Sequence, residues 1–530
     1  MTKGRLFGKN VLEGIFRAAP DEDLFLGELL VAVDSETGRR YLFRVVDVSY
    51  GTEHREPGWA ERVAGTLLSD DARGDPGAHP LHEQARRTYR VASCRCLGYL
   101  SPPDPFGAQE FRKPKSLPTQ FSRVVAPEPA DFEFLRTRMG DLAVGRLRSG
   151  ESVVDFDVGI SGRSLATHVG IFATTGMGKS NLLKVLAGGV MAAGGRYGLL
   201  VVDPHGEYRK ELPRHPWAQE RLRTYAARNL PNTSRLRISL AELSVDDLRT
   251  AYDWSRPQEE ALFELERHYS SAGAGVPTTG LSWLLAFSAL EDLPGFRDVE
   301  LAGRVAINTL QVVHRRARRI VGLQCIASDP GVSVGGAVLR DLESGKVVLV
   351  DVGGLGSTEE VLVASFLTRK VLERWSAAYL DDPDLHERLP VVAIALEEAQ
   401  RVLGRSADRE SNVFPRVARE GRKFKVGLCA VTQQPKLLDD ELLSQFNTFF
   451  VLGLADEKDR TILRGSSKQD ISALGPEIQT LMPGECLVAS LEAPFALPAR
   501  VHLWDDLVRT TPPPPAPLSV APPNIAALVD

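Results

Sequence analysis

The chain has 530 residues, more than a single hydrophobic core accommodates, so roughly two to four domains are expected. A hydrophobic share of 43% and a charged share of 25% describe an ordinary globular chain, and a formal net charge of -5 excludes a uniformly basic nucleic-acid coat. Any contact with DNA then has to come from a local patch or from a channel formed by assembly. No apolar run reaches the roughly 18 residues of a membrane helix. Lys3, Arg5 and Lys9 are followed by Glu13 and Arg17, which interrupt any leader-like stretch, so a cytoplasmic protein without a membrane anchor is expected.

Residues 1–140 read as β-rich. The stretches 24–33, 41–49 and 88–99 are rich in β-branched and aromatic residues with partial alternation. Gly, Asp and Pro mark the connections, notably 69–82, a predicted mobile loop. A small N-terminal barrel is expected, with no catalytic constellation. The five cysteines (Cys94, Cys96, Cys325, Cys429 and Cys486) form no C-x-x-C pair and read as reduced core thiols. Alternation puts Cys94 and Cys96 on one strand face, but two thiols alone do not make a zinc site.

From about residue 141 the pattern changes. Apolar runs at 168–173, 198–203, 346–351, 391–397, 426–432, 448–454 and 485–490 alternate with longer helical stretches. That is the signature of βαβ units and a parallel sheet, an α/β core spanning 141–505. Between 209 and 345 the strand signal drops, while 241–269 and 281–319 show helical spacing. A helical insertion at about 210–345 is therefore predicted. Within it, His314-Arg-Arg-Ala-Arg-Arg319 has two readings: a DNA-backbone contact lining a pore, or a solvated helix face paired with acids such as Glu300. Residues 506–530 carry Pro512 to Pro515, Pro517, Pro522 and Pro523, and read as a semi-extended tail or a docking arm.

The chemistry is concentrated around residues 171–181. Ala173, four residues, then Gly178-Lys179-Ser180 fit the phosphate-binding loop, with a buried strand before it and a helix after it. Thr174, Thr175, Gly176, Met177, Gly178, Lys179, Ser180 and Asn181 are the expected nucleotide cradle. Gly176 and Gly178 permit a tight turn whose N–H groups point inward at a phosphate, and the helix N-terminus adds partial positive charge. Lys179 would reach the β- and γ-phosphates of ATP and Ser180 would ligate Mg²⁺.

Hydrolysis also needs an acid at a nearby strand end. The run 390–396 is apolar and ends in Glu397-Glu398-Ala399-Gln400. Glu397 would hold the Mg²⁺ shell and Glu398 would polarise the attacking water. A second acid group, Asp203-Pro-His-Gly-Glu-Tyr208, follows another apolar run; Asp203 or Glu207 could support Mg²⁺ or meet a neighbouring subunit. The run 426–431 ends in Thr432-Gln433-Gln434-Pro435, where Gln433 could sense the γ-phosphate. Arg416, Arg419 and Arg422 recur at i, i+3 and i+6 and are candidates for an arginine finger given across a subunit interface.

These motifs, in this order, with Arg-Glu-Gly-Arg-Lys-Phe at 419–424, resemble the HerA family of the HerA–FtsK group of ring motors over roughly residues 140–505. Asp-Pro-His-Gly-Glu-Tyr is the most specific element; the N-terminus resembles that family's small barrel more weakly. The resemblance implies a RecA-like ATPase core with a helical insertion, assembled as a hexamer around double-stranded DNA. It further implies ATP-driven translocation with a NurA-like nuclease in DNA end processing. Carried onto this chain, it makes Lys179 and Ser180 the nucleotide and Mg²⁺ groups, Glu398 the catalytic acid and Gln433 the sensor. Arg422 becomes the trans finger, with Arg419 close behind. Three positions depart from the family: Glu397 where Asp is usual, Gln400 where His is usual and Thr167 where Arg is common. An alternative is a nucleotide-binding ring that organises an effector in antiphage defence. A membrane-anchored pump of the FtsK type would carry membrane helices.

Overall fold

The computed structural model describes residues 2–19, 22–52, 58–59, 61–62, 64, 88–104, 109–270, 279–290, 305–404 and 412–515. The loop predicted over 69–82, Glu300, and Pro517, Pro522 and Pro523 lie outside them.

The N-terminal strands are β1 (Thr2–Leu6), β2 (Glu13–Ala18), β3 (Leu29–Val33), β4 (Arg40–Thr52), β5 (Thr88–Leu100), β6 (Phe111–Arg112) and β7 (Arg123–Val125). They pair in the order β2-β1-β7-β3-β4-β5-β6, and β2 also pairs with β5, which closes a barrel with β6 on its rim. The long β4–β5 ladder carries register shifts at Leu42/Phe43 and Val45/Asp47. Such bulges sharpen the twist and let so short a sheet curl onto itself. Leu30, Tyr41, Phe43 and Val45 fill the interior together with both thiols, Cys94 and Cys96. Burial pushes the Cys96 thiol up to about 12.

A second sheet follows. Its strands are β8 (Leu142–Ser149), β9 (Ser152–Ile160), β10 (Val169–Phe172), β11 (Tyr197–Asp203), β12 (Leu222–Ala226) and β13 (Ser234–Arg235). A small separate pair, β14 (Ile238–Ser239) and β15 (Ile326–Ala327), comes next. The sheet resumes with β16 (Val347–Asp351), β17 (Val391–Glu397), β18 (Val426–Thr432), β19 (Thr448–Val451), β20 (Glu485–Ser490) and β21 (Leu497–Val501). The spatial order is β13-β12-β16-β11-β17-β18-β10-β19-β20-β21-β8-β9. From β13 to β19 every pairing is parallel. Strands covered by helices on both faces need continuous apolar side chains, and Val-Val-Leu-Val-Asp of β16 is buried throughout.

Two expectations change here. The spacing of apolar runs predicts 485–490 among the parallel strands, but β20 runs antiparallel to β19, and β21, β8 and β9 extend that antiparallel edge. The span 210–345 read as helical contains the sheet strand β12, beside β16. Its Leu-Arg-Thr-Tyr-Ala lacks a continuous apolar run because only the two-residue β13 lies beyond it, and Arg223 faces solvent. The rest of the insertion is mostly helical: Val245–Ala251, Arg256–Ser270, Trp283–Ser288, Ile307–Val321 and Gly335–Glu343. Trp283 stacks on Tyr269 at 5.9 Å within it.

Barrel and core are joined through a buried ionic cluster. Arg44 of β4 donates to Glu477 at 2.7 Å and to the Ala496 carbonyl at 2.8 Å. Arg148 of β8 donates to the same Glu477 oxygen. All three side chains are almost wholly buried. One carboxylate between two guanidiniums leaves little room for alternative docking of the barrel.

Candidate nucleotide site

The phosphate loop joins β10 to the helix Lys179–Ala192. Gly176 and Gly178 have φ of +84° and +99°, which a Cβ would strain although it would meet nothing at Gly176 and only ordinary contacts with Gly484 and Leu452 at Gly178. The loop is held from outside. Thr174 donates its N–H and hydroxyl to the Gly453 carbonyl at 3.0 and 2.9 Å, and Gly484 N–H donates to the Met177 carbonyl at 3.1 Å. The Met177 side chain lies against Gly453, where an added Cβ would collide with it. Asn181, expected in the cradle, turns its side chain outward: it donates to the His502 carbonyl at 2.8 Å and accepts from Trp504 N–H at 2.9 Å. Its amide therefore anchors the helix start to residues 502–504.

The strand order sets what faces this loop. β18 lies between β10 and β17, so the amide strand separates the phosphate loop from the acid strand. Gln433, just past β18, accepts from the Thr175 hydroxyl at 2.5 Å. Lys179 Nζ lies 3.1 Å from a Glu397 oxygen. The other Glu397 oxygen accepts from the hydroxyl of Tyr208, a buried side chain whose ionisation is pushed well up by desolvation and by the Glu397 charge. Sequence spacing carries no signal for this contact, because Tyr208 and Glu397 are 189 positions apart.

Glu398 sits at φ +52°, one of few non-glycine residues here in the left-handed region. Such a backbone costs about 1–3 kcal/mol and persists only where neighbours enforce it. Gln400 holds the Glu398 side chain: its amide donates to Glu398 at 2.6 Å and its carbonyl accepts from the Thr432 hydroxyl at 2.6 Å. Gln400 thus ties the acid to the amide strand.

Asp203 was expected to ligate the metal. Its carboxylate is instead taken up by the loop after β11, accepting N–H bonds from His205 at 3.1 Å, Gly206 at 2.8 Å and Tyr208 at 3.0 Å. Burial raises its pKa, against the pull of those donors. The turn passes through Gly206 at φ +70° and delivers Glu207 to the phosphate loop, where it accepts from the Ser180 hydroxyl at 2.7 Å. The acid beside Ser180 is therefore Glu207. Oxygen donors from Ser180 and Glu397 are the chemistry Mg²⁺ requires, and the left-handed glycines and Lys179 suit a polyphosphate.

The arginines stand elsewhere. Arg416 and Arg419 lie on the helix Val413–Glu420, but Arg422 lies beyond it, in the 3-10 turn Gly421–Phe424 that leads into β18. Arg419 pairs with Glu441 at 3.0 Å, and Arg422 is exposed. Gln433 is past the far end of the same seven-residue strand. At roughly 3.3 Å per residue the two ends are about 23 Å apart, so Arg422 cannot reach its own phosphate loop. In the insertion, Arg316 packs over Trp254 at 4.6 Å and donates to the Asp253 carbonyl, while Arg315, Arg318 and Arg319 are exposed. Of the tail, Pro512 offers its carbonyl to Trp217 Nε1 at 3.0 Å. Among the described residues no helix is long and apolar enough to cross a membrane.

A phosphate loop on a central parallel strand, answered by carboxylates two strands away, places the chain among the P-loop nucleoside triphosphatases of RecA-like fold. Comparison with known proteins narrows this. The helicase HerA central domain matches residues 142–371. DNA double-strand break repair helicase HerA of Saccharolobus solfataricus is 24% identical over 377 residues, covering 68% of each chain. The Pyrococcus furiosus protein of that name is 24% identical over 386 residues, covering 64% of this chain and 66% of the relative. This chain thus spans about two thirds of the length of these relatives. Among solved structures, the bacterial conjugative coupling protein TrwB is 15% identical, with a TM-score of 0.46 over 64% of this chain and 85% of that one. VirB4 of Thermoanaerobacter pseudethanolicus is 16% identical, with a TM-score of 0.46 over 68% and 96%. Over its central part the chain is thus similar to the HerA helicases.

Proposed function

We propose that this chain is the protomer of a hexameric, ATP-driven motor that moves along double-stranded DNA and works with a NurA-like nuclease in processing DNA ends for repair. The observation that carries the reading is the meeting of Lys179, Ser180, Glu397 and Gln433 at one strand edge while Arg422 stands at the other. Relatives named as double-strand break repair helicases support the DNA substrate.

Bound Mg²⁺–ATP supplies the electrophilic phosphorus and a charge that offsets the developing negative oxygens. The protein's own groups do the rest. N–H groups at the start of the helix Lys179–Ala192 and the Lys179 ammonium hold the β- and γ-phosphates, and Ser180 and Glu397 would hold the metal. Glu398, fixed by Gln400, orients water for attack and takes its proton. Gln433 lies against Thr175 and reports the γ-phosphate to β18. Arg422 of one protomer completes its neighbour's site, which makes the ring obligatory for turnover. A ring also lets a chain of net charge -5 hold DNA, because only its inner wall need be basic.

The test is ATP hydrolysis with and without linear duplex DNA, beside the mass of the complex. DNA-stimulated hydrolysis that is lost in Lys179→Ala and Glu398→Gln, from a particle of six chains, is expected. A monomer under all conditions, or hydrolysis indifferent to both substitutions, overturns the motor. Nucleotide binding with negligible hydrolysis by the intact ring would favour the effector scaffold.

A further inference from the structure

We infer that Tyr208 is a positioning residue that aims Glu397 at the metal, with Glu207 doing the same for Ser180; the inference rests on the nucleotide site proposed above. Glu397 has two side-chain partners among the described residues, Lys179 and Tyr208. Lys179 cannot serve two masters. Once its ammonium turns to the phosphates, Tyr208 is the group left to orient the carboxylate. The Tyr208 hydroxyl donates to one Glu397 oxygen, and that bond fixes the direction of the carboxylate.

The loop that carries Tyr208 is built for the purpose. Asp203 spends its carboxylate on three N–H groups of that loop, one of them Tyr208's own. Tyr208 N–H and hydroxyl are thereby both pinned, and the ring is 1% exposed. The residue before it, Glu207, is exposed and accepts from Ser180, the other expected metal group. Two adjacent residues of one six-residue motif thus each hold a different metal-facing side chain. Outer-shell partners of this kind commonly contribute 10- to 100-fold to metal affinity.

The experiment compares the full chain with Tyr208→Phe, which removes one oxygen and keeps the buried ring. Binding of a fluorescent ATP analogue is measured across Mg²⁺ concentrations and without Mg²⁺. Tyr208→Phe is expected to raise the half-saturating Mg²⁺ concentration about 10-fold and to leave Mg²⁺-free nucleotide affinity within about twofold. In a Glu397→Gln background the same substitution is expected to add little, because its effect runs through Glu397. An unchanged Mg²⁺ requirement, or an equal loss in both backgrounds, overturns the inference. Mg²⁺-dependent binding that behaves as expected without DNA-stimulated hydrolysis removes the motor and leaves this role of Tyr208 standing.

Discussion

Placement of Arg422 makes a prediction that few other residues could. About 23 Å of strand separates it from Gln433, and an arginine side chain spans about 7 Å, so the deficit cannot be closed within one protomer. Arg422→Ala is expected to fold normally, since the side chain is exposed, and to lower hydrolysis roughly 10³- to 10⁵-fold, the range for a trans finger. Lys179→Ala is expected to be equally inactive for a different reason, loss of phosphate binding. An equal mixture of the two, dissociated and reassembled, then distinguishes trans from cis. A site works only where its own protomer keeps Lys179 and its neighbour keeps Arg422. With random assembly and independent sites this holds at about a quarter of interfaces, so roughly 25% of wild-type ATPase activity should return. The assay is steady-state phosphate release, with particle mass confirming mixed rings. A mixture no more active than either parent, in rings shown to be mixed, refutes the reasoning.

Glu398→Gln keeps the shape of the side chain but not its charge; hydrolysis should fall about 10²- to 10⁴-fold with nucleotide affinity nearly unchanged, read by single-turnover kinetics against binding. Gln400→Ala removes the tie between Glu398 and Thr432 and should lower the hydrolysis rate more than it weakens binding; equal effects on both would count against the tie. Glu477→Ala strands two buried guanidiniums, Arg44 and Arg148, and should cost about 3–5 kcal/mol of stability in urea unfolding, whereas a loss under 1 kcal/mol would contradict the burial. His168 is buried and accepts from Leu428 N–H, and desolvation pushes its pKa down to about 4 from 6.5. Its contribution is therefore full above pH 6.5 and lost as pH falls toward 4, about 3 kcal/mol in all. His168→Asn should flatten the stability curve between pH 6.5 and 4.5; an unaltered slope would exclude the buried imidazole as its cause.

Much of the fold was legible in the order of residues. Apolar runs ending in Asp203, Glu397 and Thr432 are the strands β11, β17 and β18, because a strand buried on both faces must be apolar throughout. β12 escaped because it lies near the sheet edge and keeps an arginine in solvent. The direction of β20 escaped because antiparallel and parallel strands with both faces covered use the same side chains. The finger stripe was legible as spacing, yet the helix ends at Glu420 and a 3-10 turn carries Arg422.

By itself, the sequence determined that a glycine-rich turn between strand and helix would cradle phosphate, and that a carboxylate pair would end a neighbouring strand. Local backbone preferences and hydrophobic periodicity are enough for that, since each spans only a few residues. Which acid meets which partner was decided by tertiary structure alone. Lys179 and Glu397 are 218 positions apart and touch only because β18 spaces β17 from β10. Asp203, first in its motif, is absorbed by its own loop, and the two residues at the motif's end reach Ser180 and Glu397 instead. Side-chain identity announces which groups can bind a cation; the sheet order and the turn at Gly206 settle which of them meet beside the phosphate loop.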